Sequence, residues 1–193
     1  MAPLPDRRLL LGLLFLVVVV GALGFLLGRV LAPRAPEPLG SPVQDGGAVD
    51  ATTRRIRLFF AVPNADRLQE EERTIPRAAS IVEEAKRAVA ELIKGPETDL
   101  NPTIPSGVGL LQLYVDGRGT AYVDFTRDLQ TKHPGGTGGE LLTIYSIVDT
   151  LTANFGEIQQ VKLLVEGSEI LTLAGHIDTR RPFRPRYSFE RVR

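Results

Sequence analysis

His176 and Asp178 come closest, by type and spacing, to a pair that could do acid–base chemistry in this sequence. A carboxylate can orient an imidazole that acts as a general base. The pair follows Ala174-Gly175, and no nucleophile stands beside it: no G-x-S-x-G occurs and the serines are scattered. The chain holds two histidines, His133 and His176, so a zinc site would need several carboxylates from Asp124, Asp128, Asp149 and Asp178. Asp124 and Asp128 flank a strand end, where aspartate commonly caps turns. Tyr145 and Asp149, four apart on a helix, read as a hydrogen-bonded structural pair. The residue types therefore favour structural roles, and no catalytic residue, metal site or cofactor is assigned.

Two other segments could hold an anion. Gly135-Gly136-Thr137-Gly138-Gly139 opens a helix, and unpaired N–H groups at a helix start attract negative charge. A phosphate loop would also carry lysine followed by Ser or Thr, which is missing here. Glu140 stands where positive charge is wanted, in a place that suits the first turn of a helix. The tail from Arg180 to Arg193 holds six arginines and one glutamate, interleaved with Phe183, Tyr187 and Phe189. Arginine mixed with aromatics can grip anionic polymers or lipid headgroups. Arg180, Arg181, Arg184 and Arg186, with Gly136 and Thr137, are the candidate anion or partner contacts.

The elements that would position these residues are legible from periodicity. Arg55 to Val62 reads as a strand, and after the turn Pro63-Asn64-Ala65-Asp66 a short return strand falls within Leu68 to Ile75. Ser80 precedes a helix to about Lys94, with Ile81, Ala85, Val89 and Leu92 on one face and Gly95-Pro96 ending it. Leu111, Leu113 and Val115 alternate on one strand and Ala121, Val123 and Phe125 on the next, around Asp116-Gly117-Arg118-Gly119. A second helix spans about Gly139 to Phe155, with Leu141, Ile144, Tyr145, Val148, Leu151 and Phe155 toward the core. Strands over Gln160–Val165 and Glu169–Leu173 close the domain. The pattern predicts an α+β fold, two amphipathic helices packed on one mixed or antiparallel sheet.

Ahead of this domain, Leu9 to Gly28 is a run without charge, and as a helix it reaches about 30 Å, the thickness of a hydrocarbon core. Arg7 and Arg8 precede it; Arg29 and Arg34 follow. The run exceeds the apolar region of a signal peptide and lacks a small-x-small site behind it. The expected layout is a short cytoplasmic segment 1–8, a signal-anchor transmembrane helix 9–28, a Pro/Gly-rich tether 29–53, the domain 54–182 and an Arg-rich tail 183–193. The 23 basic and 23 acidic residues balance, which argues against nucleic acid as a partner. There is no cysteine, which excludes disulfides, thiolate chemistry and a lipid-modified cysteine.

The globular part resembles the GerMN domain of sporulation and spore-germination proteins. The resemblance is carried in order by Ile104-Pro105-Ser106-Gly107, by Gly119 to Thr126, and by the glycine turn with Glu140. It continues through Tyr145 to Thr152, Val161 to Gly167 and Leu173 to Asp178. The family often has Asn where Asp149 stands and Gly where Ala174 stands. The resemblance implies a fold akin to the ring-building modules of envelope machines, and no catalytic residues. The expectation is a membrane-anchored, extracytoplasmic, non-enzymatic module that assembles with other envelope proteins, itself included in an oligomer. An anionic cell-wall polymer or lipid headgroup is the alternative ligand, and a wall hydrolase using His176 and Asp178 ranks last.

Overall fold

The computed structural model describes residues 52–186. The expected span 9–28, nearly all of the tether and residues 187–193 lie outside the described residues. Among the described residues no helix is long and apolar enough to cross a membrane. In chain order the elements are β1 (Thr53–Ala61), β2 (Leu68–Pro76), α1 (Ile81–Lys94), β3 (Leu110–Val115) and β4 (Thr120–Phe125). They continue with the short α2 (Asp128–Thr131), α3 (Thr137–Asn154), β5 (Gln160–Val165) and β6 (Ser168–Glu169).

β1 alternates as its sequence dictates: Ile56, Leu58 and Phe60 are buried between the exposed Arg55 and Arg57 and the half-buried Phe59. It pairs antiparallel with β2 from Thr53 opposite Pro76 to Ala61 opposite Leu68. The inner face of β2 carries a buried ion pair, Glu71 with Arg73 at 2.7 Å. Arg73 also donates to the Gly95 carbonyl at the end of α1, and Glu71 accepts from Thr98 and the Glu97 amide. Burial pushes the Glu71 carboxyl up, but these donors outweigh it and hold the group below its ordinary value. α1 starts where the Ser80 hydroxyl accepts the Glu83 N–H at 3.3 Å and stops at Gly95, whose φ is 90°.

The remaining strands form a second sheet in the order β3-β4-β5-β6, with β4 and β5 parallel and the other pairs antiparallel. The expected single sheet is thus two. The outer edge of β1 is the reason: Asn154 of α3 accepts the Arg57 N–H and donates to the Arg57 carbonyl, and Thr150 accepts the Phe59 N–H at 3.2 Å. Ala61 exchanges both backbone bonds with Asn101. With these groups used, β1 has no ladder to offer β3 or β5.

α3 is the crossover that makes β4 and β5 parallel, and it is buried almost all round: Ile144, Ile147, Val148 and Leu151 are enclosed, as are Thr143, Ser146 and Thr150. The β3–β4 turn is built on Asp116, whose Oδ1 accepts the N–H groups of Arg118 and Thr120. Gly119 there has φ 78°, and a Cβ would lie 2.9 Å from the Glu157 carbonyl oxygen, so only glycine fits.

Two expected strands differ in detail. A bulge between Leu110 and Gln112 breaks the alternation of β3 and leaves Leu111 at 49% exposure, while Leu113 stays buried. The last strand is short, because the chain turns away after Glu169 to bond with residues 178–179: Thr179 bonds to the carbonyls of Ile170 and Leu171. Leu171, expected in that strand, is 71% exposed.

Candidate functional site

Glu140 organises the region where the sequence placed its sharpest polar residues. Its carboxylate, wholly enclosed in the first turns of α3, accepts the His176 N–H at 2.9 Å, the His176 Nδ1–H at 2.7 Å and the Ile177 N–H at 3.1 Å. Burial raises its pKa, but the hydrogen bonds win and hold the group below its usual range. Glu140 is therefore a clamp on the loop 174–177. Asp178 bonds instead to Arg180, through three guanidinium contacts between 2.7 and 3.1 Å and the Arg180 N–H at 2.9 Å, which hold its carboxyl down at about 2. The structure does not join His176 to Asp178: the imidazole faces one carboxylate and the aspartate faces a guanidinium.

The other histidine is equally committed. His133 Nδ1 accepts the Gly135 N–H, so its Nε2–H donates to Thr143 Oγ1, whose own hydrogen goes to the Thr103 carbonyl at 2.6 Å. Burial pushes this imidazole below its ordinary pKa, which suits the neutral form. Among the described residues no group of three His, Asp or Glu could hold a metal ion.

The tail is part of the domain as far as it is described. Phe183 exchanges backbone bonds of 2.7 and 2.8 Å with Val161 of β5, and its ring meets Tyr145 edge-on at 6.1 Å. Arg186 lays its guanidinium over the Tyr145 ring at 4.7 Å and donates its N–H to Asp149 Oδ1 at 3.2 Å. The hydrogen bond of Asp149 is thus to Arg186 rather than to Tyr145. Burial raises this carboxyl to about 6 against the opposing pull of Arg186. Behind the same segment, the enclosed Lys162 donates to Glu169 and to the carbonyls of Thr179 and Arg180. Nothing in the sequence flags this buried lysine, because a lysine in a strand ordinarily signals a solvated face.

Gly136 and Thr137 sit at the start of α3, with no side chain capping the helix. Gly138 lies so close to Asp66 that a Cβ there would be 3.4 Å from the carboxylate. Asp66 thus lies against the helix start, and Glu140 adds a second carboxylate in its first turn. Thr137 and Arg186 do line one groove of about 250 Å³, whose walls are Leu68, Leu141, Leu142 and Tyr145. Arg181 and Arg184 are exposed, and Arg180 serves Asp178.

The profile of a family described as Germane, sporulation and spore germination, matches residues 57–171. The chain belongs to this GerMN family. Solved GerMN structures share the fold. The first GerMN domain of the sporulation protein GerM from Bacillus subtilis aligns with a TM-score of 0.56 at 20% identity, over 69% of this chain and 98% of that one. The tandem GerMN domains of the same protein give 0.56 at 19% identity, over 68% of this chain and 46% of that one, so this chain spans under half of the two-domain structure. A candidate lipoprotein of Clostridium perfringens gives 0.50 at 20% identity, over 68% and 87%. At these identities the likeness is one of fold. No curated protein sequence matches the chain.

Proposed function

We propose that this GerMN protein is a membrane-anchored, extracytoplasmic module that works by binding other envelope proteins and not by catalysis. One observation carries the reading: the polar residues that could do chemistry are each consumed by the fold. His176 holds Glu140, Asp178 holds Arg180, Asp149 holds Arg186, and His133 is fixed between Gly135 and Thr143. What the domain leaves available is surface, including exposed Leu111, Tyr114 and Leu171. The uncharged run 9–28 would tether it, and 29–53 would hold it off the membrane. The lipoprotein description of the Clostridium relative fits a tethered location; with no cysteine, this chain would use a protein anchor.

The test is crosslinking of the tagged full-length protein in intact cells, followed by identification of what co-purifies. An envelope protein recovered with the full chain, and lost when 54–182 is deleted but 1–53 kept, supports the reading. Recovery of lipid or wall fragments alone sinks it. That second outcome favours an anionic envelope ligand, whose structural support is that the glycine turn and Arg186 line one groove. Its binding should then weaken with salt and with Arg184→Ala, an exposed position.

A further inference from the structure

The sheet edges of this domain are unequal. β1 is closed on its outer side by Asn154, Thr150 and Asn101. β2 presents Glu70 and Glu72 among its exposed residues and ends in Pro76, features that discourage another strand. β5 is met by β6 and by the Phe183 bridge. β3 is an edge strand of the sequence LLQLYV, without charge or proline. Such a segment is a ready template for pairing.

The register shows which groups are open. Asp116 donates its N–H to the Thr120 carbonyl, so by the antiparallel alternation Tyr114 and Gln112 bond inward to β4. The N–H and C=O of Leu113 and Val115 therefore face outward, and among the described residues no donor or acceptor meets them. On the solvent face Tyr114 is 48% exposed: one side of its ring stacks on Tyr122 at 4.6 Å, nearly parallel, and the rest faces water.

We propose that β3 pairs antiparallel with β3 of a second copy of this chain, centred on Tyr114. The inference rests on the interaction-module reading. In this register Leu113 of each copy lies opposite Val115 of the other, and the outward groups of both strands are satisfied by their own counterparts. Tyr114 meets Tyr114 as a non-hydrogen-bonded pair, where side chains approach most closely, so the stacked Tyr122–Tyr114 pair continues into its symmetry mate. Asp116 lies opposite Gln112, a carboxylate against an amide donor. An uncharged strand faces no like-charge repulsion from itself, and a two-fold contact closes after two copies. The bulge at Leu110/Gln112 ends the regular edge, which limits the pairing to the residues on the turn side of it.

The chain has no native cysteine, so one introduced thiol reports cleanly. Full-length Tyr114→Cys in native membranes, oxidised with copper phenanthroline, should form a disulfide dimer. Non-hydrogen-bonded pairs sit at about 4.5 Å between Cα atoms, within disulfide reach. Gln112→Cys, two residues away on the same face, should form at least tenfold less. Since Tyr114→Cys removes the ring, the native full-length chain in detergent is also run by analytical ultracentrifugation. It should show a concentration-dependent dimer that Tyr114→Lys abolishes with an unchanged circular dichroism spectrum. Equal crosslinking at both positions, crosslinking at neither, or a native chain monomeric at all concentrations overturns the proposal. A disulfide from the Tyr114→Cys thiol to a different envelope protein, without self-dimer, also overturns it while leaving the module reading standing. A self-dimer in cells that yield no envelope partner would do the reverse.

Discussion

Glu140 and Asp149 stand on the same helix, α3, and their environments push their titrations in opposite directions. Glu140 is surrounded by donors, so its folded pKa lies below its ordinary 4.5. Its stabilising effect is present above that value and is lost as pH falls through the folded pKa. Glu140→Ala leaves the amides of His176 and Ile177 without their acceptor and should cost about 1–3 kcal/mol, read by urea unfolding at neutral pH. Asp149 titrates at about 6 in the folded protein against an ordinary 3.8, so folding takes up a proton between those values. Its favourable contribution is complete below 3.8 and is lost as pH rises through 6. Asp149→Asn keeps an acceptor for the Arg186 amide and removes the buried charge. It should stabilise the protein at about pH 7.5 by up to about 3 kcal/mol and lose that gain below about pH 4. Equal effects at both pH values would remove the electrostatic explanation.

At the level of elements, α3 does two jobs: its apolar side chains make core, and its polar ones close the edge of β1. Thr150→Val preserves shape and apolar packing but leaves the Phe59 N–H without its acceptor. The expected cost is about 1–3 kcal/mol, with faster hydrogen exchange at the Phe59 amide. This arrangement separates features encoded locally in the sequence from features that depend on distant residues. α1 was legible to the residue, since Ser80, the apolar spacing and Gly95 are local signals. The β3–β4 hairpin was legible for the same reason, whereas β2 was legible only as a short return strand and runs from Leu68 to Pro76. The division into two sheets was hidden, because it depends on Thr150 and Asn154 meeting residues distant in sequence. The exposure of Leu111 depends on a bulge, which shifts side-chain direction without changing residue types. Glu140 was visible as a helix-start carboxylate; that it holds His176 was not, because spacing along the chain points His176 to Asp178.

Across the whole molecule, the Arg-rich segment begins as structure and not as tail. Phe183 and Arg186 fasten to β5 and α3, so ending the chain after Pro182 should uncover Tyr145 and unpair Val161. A lower midpoint of thermal unfolding, by at least about 4 °C, is expected for that truncation relative to one ending at Arg186. Identical midpoints would return these residues to the role of a solvated tail. The order of assembly follows from the crossover. β3 and β4 are joined by a tight turn and can meet early, whereas β5 reaches β4 only after α3 has packed between Phe125 and Gln160 in the chain. Closing that long connection is the expected slow event, so shaving the enclosed face of α3, as in Ile147→Val, should retard refolding in stopped-flow experiments. Loosening the late clasp at Phe183 should instead hasten unfolding and leave the refolding rate nearly untouched.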